Sequence, residues 1–277
     1  MSARAAPRRH ALPGFGLSLG VTLTWLGLIV LVPLAALALR PWQLGALGVW
    51  QALAEPRVLA ALRLSFGAAL LASLIAAPMG LLLAWVITRY RFPGRRVLDA
   101  LVDLPFALPT AVAGLALTAL FAPNGWLGAP LAALGIRVAF TPLGVVVALV
   151  FVALPFLVRT VEPVLRDLSV DAEEAAATLG ATRLQTIRRV VLPALWPALL
   201  TGFGLGFARA VGEYGSVIFI AGNMPMVSEI APLLIVTKLE QFNYAAASAI
   251  GLAMLLMSFA VLLALGLWQR ALRRGRA

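Results

Sequence analysis

Few side chains in this chain could carry out catalysis. The sequence has no cysteine and a single histidine, His10, and its only lysine is Lys238. Disulfides, thiolate metal sites, redox chemistry and histidine-based catalysis are therefore excluded within one chain, which leaves carboxylates as the only acid and base groups. No G-x-x-x-x-G-K-[ST] run is present, so the chain lacks a Walker A loop for ATP. We expect a non-catalytic protein with no metal and no cofactor in this chain.

Composition places these residues in a membrane protein. Of the 277 residues, 62% are hydrophobic and 12% are charged, with a mean hydropathy of +0.99, whereas soluble domains are about a quarter charged. A helical span needs about 20 mainly apolar residues, and several segments meet that requirement. Transmembrane barrels alternate polar and apolar residues, which these segments do not. The predicted fold class is all-α and transmembrane.

The apolar segments predict six spans. Pro105 and Pro109 interrupt the third span, and Pro193 and Pro197 open the fifth; the kinks they permit suit a moving pathway or serve ordinary helix packing. The N-terminus imitates a signal peptide, but its apolar stretch of about 23 residues is long for one, which favours an uncleaved first span. The predicted segments are a tail at 1–16, a six-span domain at 17–268 with spans at 17–39, 60–88, 98–121, 141–158, 191–220 and 244–268 and a polar insert at 159–190, and a tail at 269–277.

Basic residues are distributed unevenly over these segments. The net charge is +11, and 16 of the 22 basic residues lie in segments that share a side with the N-terminus, against five on the opposite side or at span edges. Because loops rich in arginine and lysine stay in the cytoplasm, both termini and the polar insert are predicted to be cytoplasmic. The charge therefore reports orientation in a lipid membrane rather than binding of nucleic acid.

The polar insert begins with an acidic, alanine-rich helix. Asp171 can cap this helix with Glu174 three residues later, and Glu173 joins them at its positive end. Gly180 would end the helix in a left-handed conformation. A helix this short is not stable alone in water, and it lacks the basic and aromatic residues of membrane-surface helices. We therefore predict that the insert docks on a soluble protein partner.

The second half of the insert completes a motif. Thr182 and Gln185 repeat the capping pattern for a second helix that ends at Pro193. The motif residues are Glu174-Ala175-Ala176, Gly180-Ala181, Ile187, Val190 and Leu192-Pro193. Their spacing resembles the EAA signature of permease subunits in bacterial ABC importers. The resemblance implies a six-helix type I permease fold, whose insert is a coupling helix seated in a groove of a separate ATPase that binds ATP and Mg²⁺. The residues that the resemblance and the helix caps assign to this coupling are Asp171, Glu173, Glu174, Ala175, Ala176, Gly180, Ala181, Ile187, Leu192 and Pro193.

Two apolar stretches narrow the resemblance. They are LPFALPTAVAG at 104–114 and FARAVGEYGS at 207–216, the second of which leads into Ala221-Gly222-Asn223. Both resemble sulfate and thiosulfate permeases of the CysT type. The resemblance implies three partners in the bacterial inner membrane system: ABC ATPase subunits, a second, homologous permease, and a periplasmic sulfate- or thiosulfate-binding protein. Molybdate permeases share a related Arg-x-x-Gly-Glu stretch, so a molybdate or tungstate permease is the alternative.

Polar residues in the apolar segments are candidates for the pathway. Arg209 and Glu213 are four residues apart and so share one helix face. They form either an ion pair that fixes the helix or a gate whose guanidinium attracts the dianion. The neutral donors that could serve the pathway, or only their own helix backbones, are Thr110, Ser216 and Asn223. Asp103 is expected to be a solvated helix-end acid. An ion-coupled secondary oxyanion transporter would need intramembrane carboxylates, and only Glu213 clearly qualifies.

Overall fold

The first predicted span lies within one long helical run outside the packed core. The computed structural model describes residues 14–274, with side chains as far as residue 271, and over this range it is helical with no β-strand. The run covers 40 residues, and the most apolar part of it has no buried side chain. It consists of α1 (Phe15–Leu26), a π turn (Gly27–Leu31), α2 (Val32–Leu39), a 3-10 turn (Arg40–Leu44) and α3 (Gly45–Ala54).

The predicted third span is a series of short helices. Leu108 and Pro109 in its middle are extended, with ψ angles of 137° and 132°, because a proline excludes the residue before it from the helical region. Among the described residues, five helical runs are long and apolar enough to cross a membrane, so the count of six spans stays a prediction. The helices of this region are α4 (Pro56–Arg89), α5 (Arg95–Val102), α6 (Leu104–Ala107), α7 (Thr110–Phe121) and α8 (Gly128–Ala133).

The helices on both sides of the insert extend further into it than predicted. The next elements are α9 (Pro142–Asp167), α10 (Val170–Thr178), α11 (Arg183–Thr186), a π turn (Ile187–Val191) and α12 (Leu192–Val211). α9 runs past the end predicted at residue 158, and the prediction that the second insert helix ends at Pro193 is wrong, because α11 to α12 is one run of 29 residues. A proline ring clashes with the carbonyl four residues earlier. That residue, Arg189, lies in the π turn, where wider winding leaves room for the ring.

The predicted fifth span ends early. It was expected to reach residue 220, but α12 stops at Val211 and residues 212–216 form a non-helical turn. The remaining helices are α13 (Val217–Ile220), α14 (Ala231–Glu240) and α15 (Tyr244–Arg274). A helix that stops inside an apolar segment leaves backbone N–H and C=O groups that can bind other groups. This turn contains Glu213, the acid predicted for the pathway.

Three long helices, α4, α9 and α12, form the core. They pack closely where glycine replaces a side chain. A Cβ atom on Gly80 of α4 would lie 2.5 Å from the Cβ atom of Leu157 on α9. Gly202 and Gly206 of α12 pack on the same leucine. Small residues therefore let three backbones approach in a membrane helix bundle, where apolar side chains alone gain little from association.

Candidate coupling surface and charged pathway residues

Ser169 caps the first insert helix, α10. Its hydroxyl accepts a hydrogen bond from the backbone N–H of Asp171 at 3.1 Å and donates one to the Asp171 carboxylate at 2.8 Å. Serine is as good a cap as aspartate, and its earlier position moves the acid into the first turn. The prediction that Asp171 is the cap is therefore wrong by two residues. Asp171 and Glu173 still lie at the positive end of the helix dipole, as expected.

The glycine hinge and the second cap form as predicted. Gly180 has a left-handed backbone with φ of 81°. The Ala181 N–H donates to the carbonyl of Ala176, five residues earlier, at 3.0 Å, and the Gly180 N–H donates to the Ala177 carbonyl at 3.0 Å. These are the two hydrogen bonds of a Schellman motif. The Thr182 hydroxyl and the Gln185 side chain then satisfy each other's backbone N–H groups in a capping box. Local sequence signals are sufficient to set this helix–hinge–helix geometry.

Glu173 is bound within the chain rather than free for a partner. Its carboxylate accepts a hydrogen bond from Nη2 of Arg89 at 2.6 Å, and both side chains are partly buried. Arg89 ends α4 and also lies over the ring of Trp85, with 5.7 Å from Cζ to the ring centroid. This ion pair attaches the insert to the end of the second predicted span. Sequence reasoning missed Arg89, which lies 84 residues from Glu173.

The insert exposes an apolar edge around its hinge. The Leu179 side chain is 89% exposed, and Leu184 and Ile187 are exposed as well. An open cavity of about 430 Å³ lies at the hinge, between Ala176 and Arg189. The other residues assigned to coupling divide into exposed ones, Glu174 and Ala175, and half-buried ones at the start of α12, Leu192 and Pro193. The half-buried Leu192 packs against the helix core and so anchors the insert to the bundle.

A second arginine, Arg159, gathers acids near the end of α9. It binds Asp99 of α5, Asp103 directly after the end of α5, and Glu162 of its own helix, at distances of 2.6 to 2.8 Å. Glu162 is buried and also binds Arg166. Asp103, predicted as a solvated helix-end acid, does lie at a helix end but is held by Arg159 through both carboxylate oxygens. This cluster lies at the end of the bundle that carries the insert.

The Arg209 and Glu213 side chains form the predicted ion pair, with Nη1 of Arg209 2.5 Å from Oε2 of Glu213. The second carboxylate oxygen of Glu213 accepts hydrogen bonds from the backbone N–H and the hydroxyl of Ser216, at 2.9 and 3.0 Å. Glu213 is therefore fully bonded and buried, while the Arg209 side chain is 39% exposed. Ser216 is completely buried and serves this carboxylate.

Thr110 lies beside the same turn. A Cβ atom on Gly215 would collide with the Thr110 hydroxyl, and one on Gly114 would collide with the Ser216 carbonyl. The break in the third predicted span therefore packs directly on the turn that ends α12. Asn223 lies elsewhere, in the left-handed turn after α13, where its amide donates to the Ile218 carbonyl at 2.7 Å. Four of the five predicted pathway residues, Arg209, Glu213, Ser216 and Thr110, thus lie together at this junction.

Ion pairs also close the opposite end of the bundle. Arg57 at the start of α4 binds Glu229 through two bonds of 2.7 Å. Lys238 of α14 binds Glu55 at 3.0 Å. Arg57 and Lys238 are predicted to lie on the outer side, and both are matched with an acid, so the loop between α13 and α14 is held against α4.

Comparisons with known proteins agree with this geometry. Residues 76–277 match the family model for the binding-protein-dependent transport system inner membrane component. The chain is similar to two sulfate transport system permease proteins CysT, from Salmonella typhimurium and Escherichia coli, with 51% and 49% identity over 265 residues, 96% of each chain. Its fold is similar to a solved chain of a bacterial alginate ABC transporter in complex with an alginate pentasaccharide-bound periplasmic protein. That match has a TM-score of 0.76 and 20% identity over 93% of this chain and 94% of the other.

The insert and the Arg209 junction both lie inside the region that the family model matches. The predicted all-α permease fold is confirmed by the fold match and the apolar helices. The chain is a multi-pass membrane protein and a non-catalytic subunit, and it belongs to the family of binding-protein-dependent transport system inner membrane components, the permeases of ABC importers.

Proposed function

We propose that this chain is a permease subunit of an ATP-driven importer that moves sulfate and thiosulfate across a bacterial inner membrane into the cytoplasm. The observation that carries the proposal is the identity of about half of the residues, over 96% of the chain, with two permeases named for sulfate transport. Transport proceeds by alternating access, in which the bundle opens first to one side and then to the other. ATP binding and hydrolysis on another chain supply the energy.

The insert is the part of the chain that receives this energy. Leu179 and Leu184 expose apolar surface on the insert, and such exposed apolar surface marks a site of contact with another protein. Glu174 lies exposed in the middle of α10, where a partner can contact it. The partner is an ABC ATPase, which binds ATP and Mg²⁺. Supporting this role, the Gly180 hinge and the helix caps define the shape of the exposed insert.

Arg209 is the residue we assign to the passing anion. Its pairing with Glu213 uses one nitrogen, and in the part of the chain that the structure describes its other guanidinium donors have no bonded partner. Guanidinium donors suit tetrahedral oxyanions because two of them can bind two oxygens at once. Glu213 keeps the binding moderate by neutralising the charge between passages. Thr110 adds a neutral donor, while Ser216 holds the Glu213 carboxylate.

Two further partners complete the proposed assembly. One is a second, homologous permease, which would share the pathway. The other is a periplasmic binding protein that delivers the anion, as the family description and the solved alginate transporter with its periplasmic protein suggest for this architecture. The helical run Phe15–Ala54 has apolar surface for lipid or for the second permease, since its most apolar part contributes nothing to the core of its own chain.

The decisive experiment is reconstitution. The chain is purified with co-expressed candidate ATPase, second permease and binding protein, and ATP hydrolysis and anion uptake are measured in proteoliposomes. Sulfate and thiosulfate are expected to stimulate both. Stimulation only by molybdate or tungstate would show that the transported anion is not sulfate or thiosulfate, but it would leave the proposed ATP-driven mechanism unchanged. Uptake that follows an ion gradient and needs no ATP would instead make the chain a secondary transporter and refute the coupling role of the insert.

A further inference from the structure

Arg159 makes every bond that an arginine side chain can make. Nε donates to Asp103 at 2.8 Å, Nη2 donates to Asp103 at 2.6 Å and to the Asp99 carbonyl at 3.0 Å, and Nη1 donates to the Asp99 carboxylate at 2.7 Å and to Glu162 at 2.6 Å. A guanidinium has five N–H donors in a rigid fork, and all five are used. Four of these bonds cross from α9 to α5. This fixes the orientation of one helix relative to the other more firmly than apolar contacts, which can slide.

Arg159 with Asp99 and Asp103 forms a clamp between α9 and α5. On the α9 side, this clamp leads directly to the coupling insert. α9 ends at Asp167, and Ser169 already caps α10. The insert is also held to α4 by the Arg89–Glu173 pair. A displacement of the insert therefore acts on the end of α9 through a connection of only two residues. Such a short connection has little slack to absorb the movement.

The α5 side of the clamp leads to the charged junction. α5 and α6 continue into the extended pair Leu108 and Pro109, where the chain can pivot, and then into α7. α7 packs without intervening side chains on the turn that holds the Glu213 carboxylate, at Gly114 against Ser216. The contact between Phe106 and Phe156, with ring centroids 5.1 Å apart, supports α6 on α9 along the way. A continuous series of contacts thus joins the insert to the Arg209 site.

We propose that Arg159 is a positioning residue that transmits movement of the insert to the third predicted span, and through α7 to the Arg209–Glu213 pair. The clamp makes α9 and α5 move as one body, and the break at Pro109 lets α7 rotate against the fifth-span turn. The competing role is purely structural, in which the cluster only stabilises the fold. The inference needs the ATPase coupling of the proposed function but not its choice of anion. Spatial continuity alone does not demonstrate coupling, so the test must follow movement.

The test uses the whole transporter and a reporter on α7. The chain has no cysteine, so Leu115→Cys, at an exposed position of α7, can be labelled selectively. The labelling rate is measured with and without ATP and vanadate. The clamp is weakened by Asp99→Asn with Asp103→Asn, which removes both negative charges but leaves Arg159 bound to Glu162 and to the backbone carbonyl of residue 99. The matched control is Arg166→Gln, which removes a bond to the same Glu162 but none to α5.

We expect the unaltered clamp to give a clear ATP-dependent change in labelling, and the asparagine pair to reduce that change roughly tenfold. Co-purification of the ATPase and basal ATP hydrolysis should stay within about twofold, because the insert itself is unaltered. Arg166→Gln should keep the full labelling change. Arg159→Lys keeps the charge but not the fork, so it should give an intermediate loss.

Several results would overturn the proposal. They are an unchanged ATP-dependent labelling change in the asparagine pair, an equal loss in Arg166→Gln, or no labelling change on α7 in a complex that hydrolyses ATP. If the asparagine pair does not assemble, Arg159→Lys answers the same question by the same criteria. Failure of the proposed function is a separate outcome, since it would appear as absence of sulfate-stimulated hydrolysis in the unaltered complex.

Discussion

Arg209 and Glu213 form an ion pair in which the Glu213 carboxylate is buried and the Arg209 side chain is partly exposed. The Glu213 side chain is 2% exposed and the Arg209 side chain 39% exposed. The carboxylate is also the acceptor for the Ser216 N–H and hydroxyl. Arginine has no acceptor atoms, so an arginine at position 213 could not replace those bonds. The two positions are therefore not interchangeable, and the Arg209→Glu, Glu213→Arg exchange should not recover transport.

Removal of the buried charge should impair transport more than folding. Glu213→Gln keeps an oxygen for Ser216 but leaves the Arg209 charge without its partner inside an apolar segment. We expect sulfate uptake and sulfate-stimulated ATP hydrolysis in proteoliposomes to fall about tenfold or more. Arg209→Ala should lose transport as well, because the anion then has no guanidinium to meet. The control is Glu240→Gln, at an exposed acid that ends α14. Normal uptake by both Glu213→Gln and Arg209→Ala would show that the pair has no role in the pathway.

The insert could be predicted from the sequence because its signals act within one or two helical turns. Gly180 supplies a left-handed residue where the first helix must end, and Thr182 and Gln185 are three residues apart. The error at the helix cap, Asp171 in place of Ser169, arose because two good capping residues compete within one turn. In the structure Ser169 is the cap, and Asp171 lies in the first turn of the helix.

The clamps could not be predicted, because their partners lie far apart along the chain. Arg89 and Glu173 are separated by 84 residues, and Arg159 and Asp103 by 56. Prolines show a second limit. Pro109 divides a helix, whereas Pro193 lies within a continuous helical run, as Pro78, Pro155 and Pro163 do in α4 and α9. The same residue type thus has opposite effects, and no spacing rule reveals the difference.

The Gly180 hinge should be required for ATPase docking. A side chain at φ of 81° is strained, by about 1 kcal/mol or more for most residues, while asparagine tolerates this conformation. Gly180→Val should therefore distort the insert and weaken co-purification of the ATPase, and Gly180→Pro should do so more strongly. Gly180→Asn is the matched control and should behave like the unaltered chain. Full uptake by Gly180→Pro, with normal ATPase binding, would exclude the insert as the coupling element.

The charge of Glu174 should matter for docking, since this acid is exposed in the middle of α10. Glu174→Arg places a positive charge there, which a partner surface fitted to an acid would repel. We expect reduced ATPase co-purification and reduced uptake, with normal insertion of the bundle in the membrane. Glu174→Gln should retain most of the binding. Equal binding by Glu174→Arg and the unaltered chain would place the docking surface elsewhere.

The Arg89–Glu173 pair offers a test by exchange. Both side chains are partly exposed. Among the described residues, Arg89 is the side chain that donates a hydrogen bond to the Glu173 carboxylate. Arg89→Gln and Glu173→Gln should each reduce coupling of hydrolysis to uptake by a similar, modest factor of about two to five. The exchange Arg89→Glu with Glu173→Arg should restore part of the loss. No restoration, with unequal effects of the single variants, would mean that the two residues act independently.

Topology can be tested in the same cysteine-free background. The distribution of basic residues predicts that Arg95 and Arg183 lie in the cytoplasm and Arg137 outside. An impermeant thiol reagent added to intact cells should label Arg137→Cys and leave Arg95→Cys and Arg183→Cys unlabelled. Both of the latter should react once the cells are opened. Arg183 lies in the insert, so labelling of Arg183→Cys from outside would reverse the orientation and remove the insert from contact with any cytoplasmic ATPase.

Close packing of α4 on α9 should be sensitive to a single methyl group. A Cβ atom on Gly80 would lie 2.5 Å from the Leu157 Cβ atom, and neither can move without shifting a backbone. Gly80→Ala should therefore destabilise the folded bundle by about 1–3 kcal/mol, measured as a lower melting temperature in detergent. Gly67→Ala on the same helix is the matched control, because a Cβ atom there meets no neighbour within 4 Å and alanine favours the helix. An equal melting temperature for both variants would show that α4 and α9 are not in close contact at Gly80 in the isolated subunit.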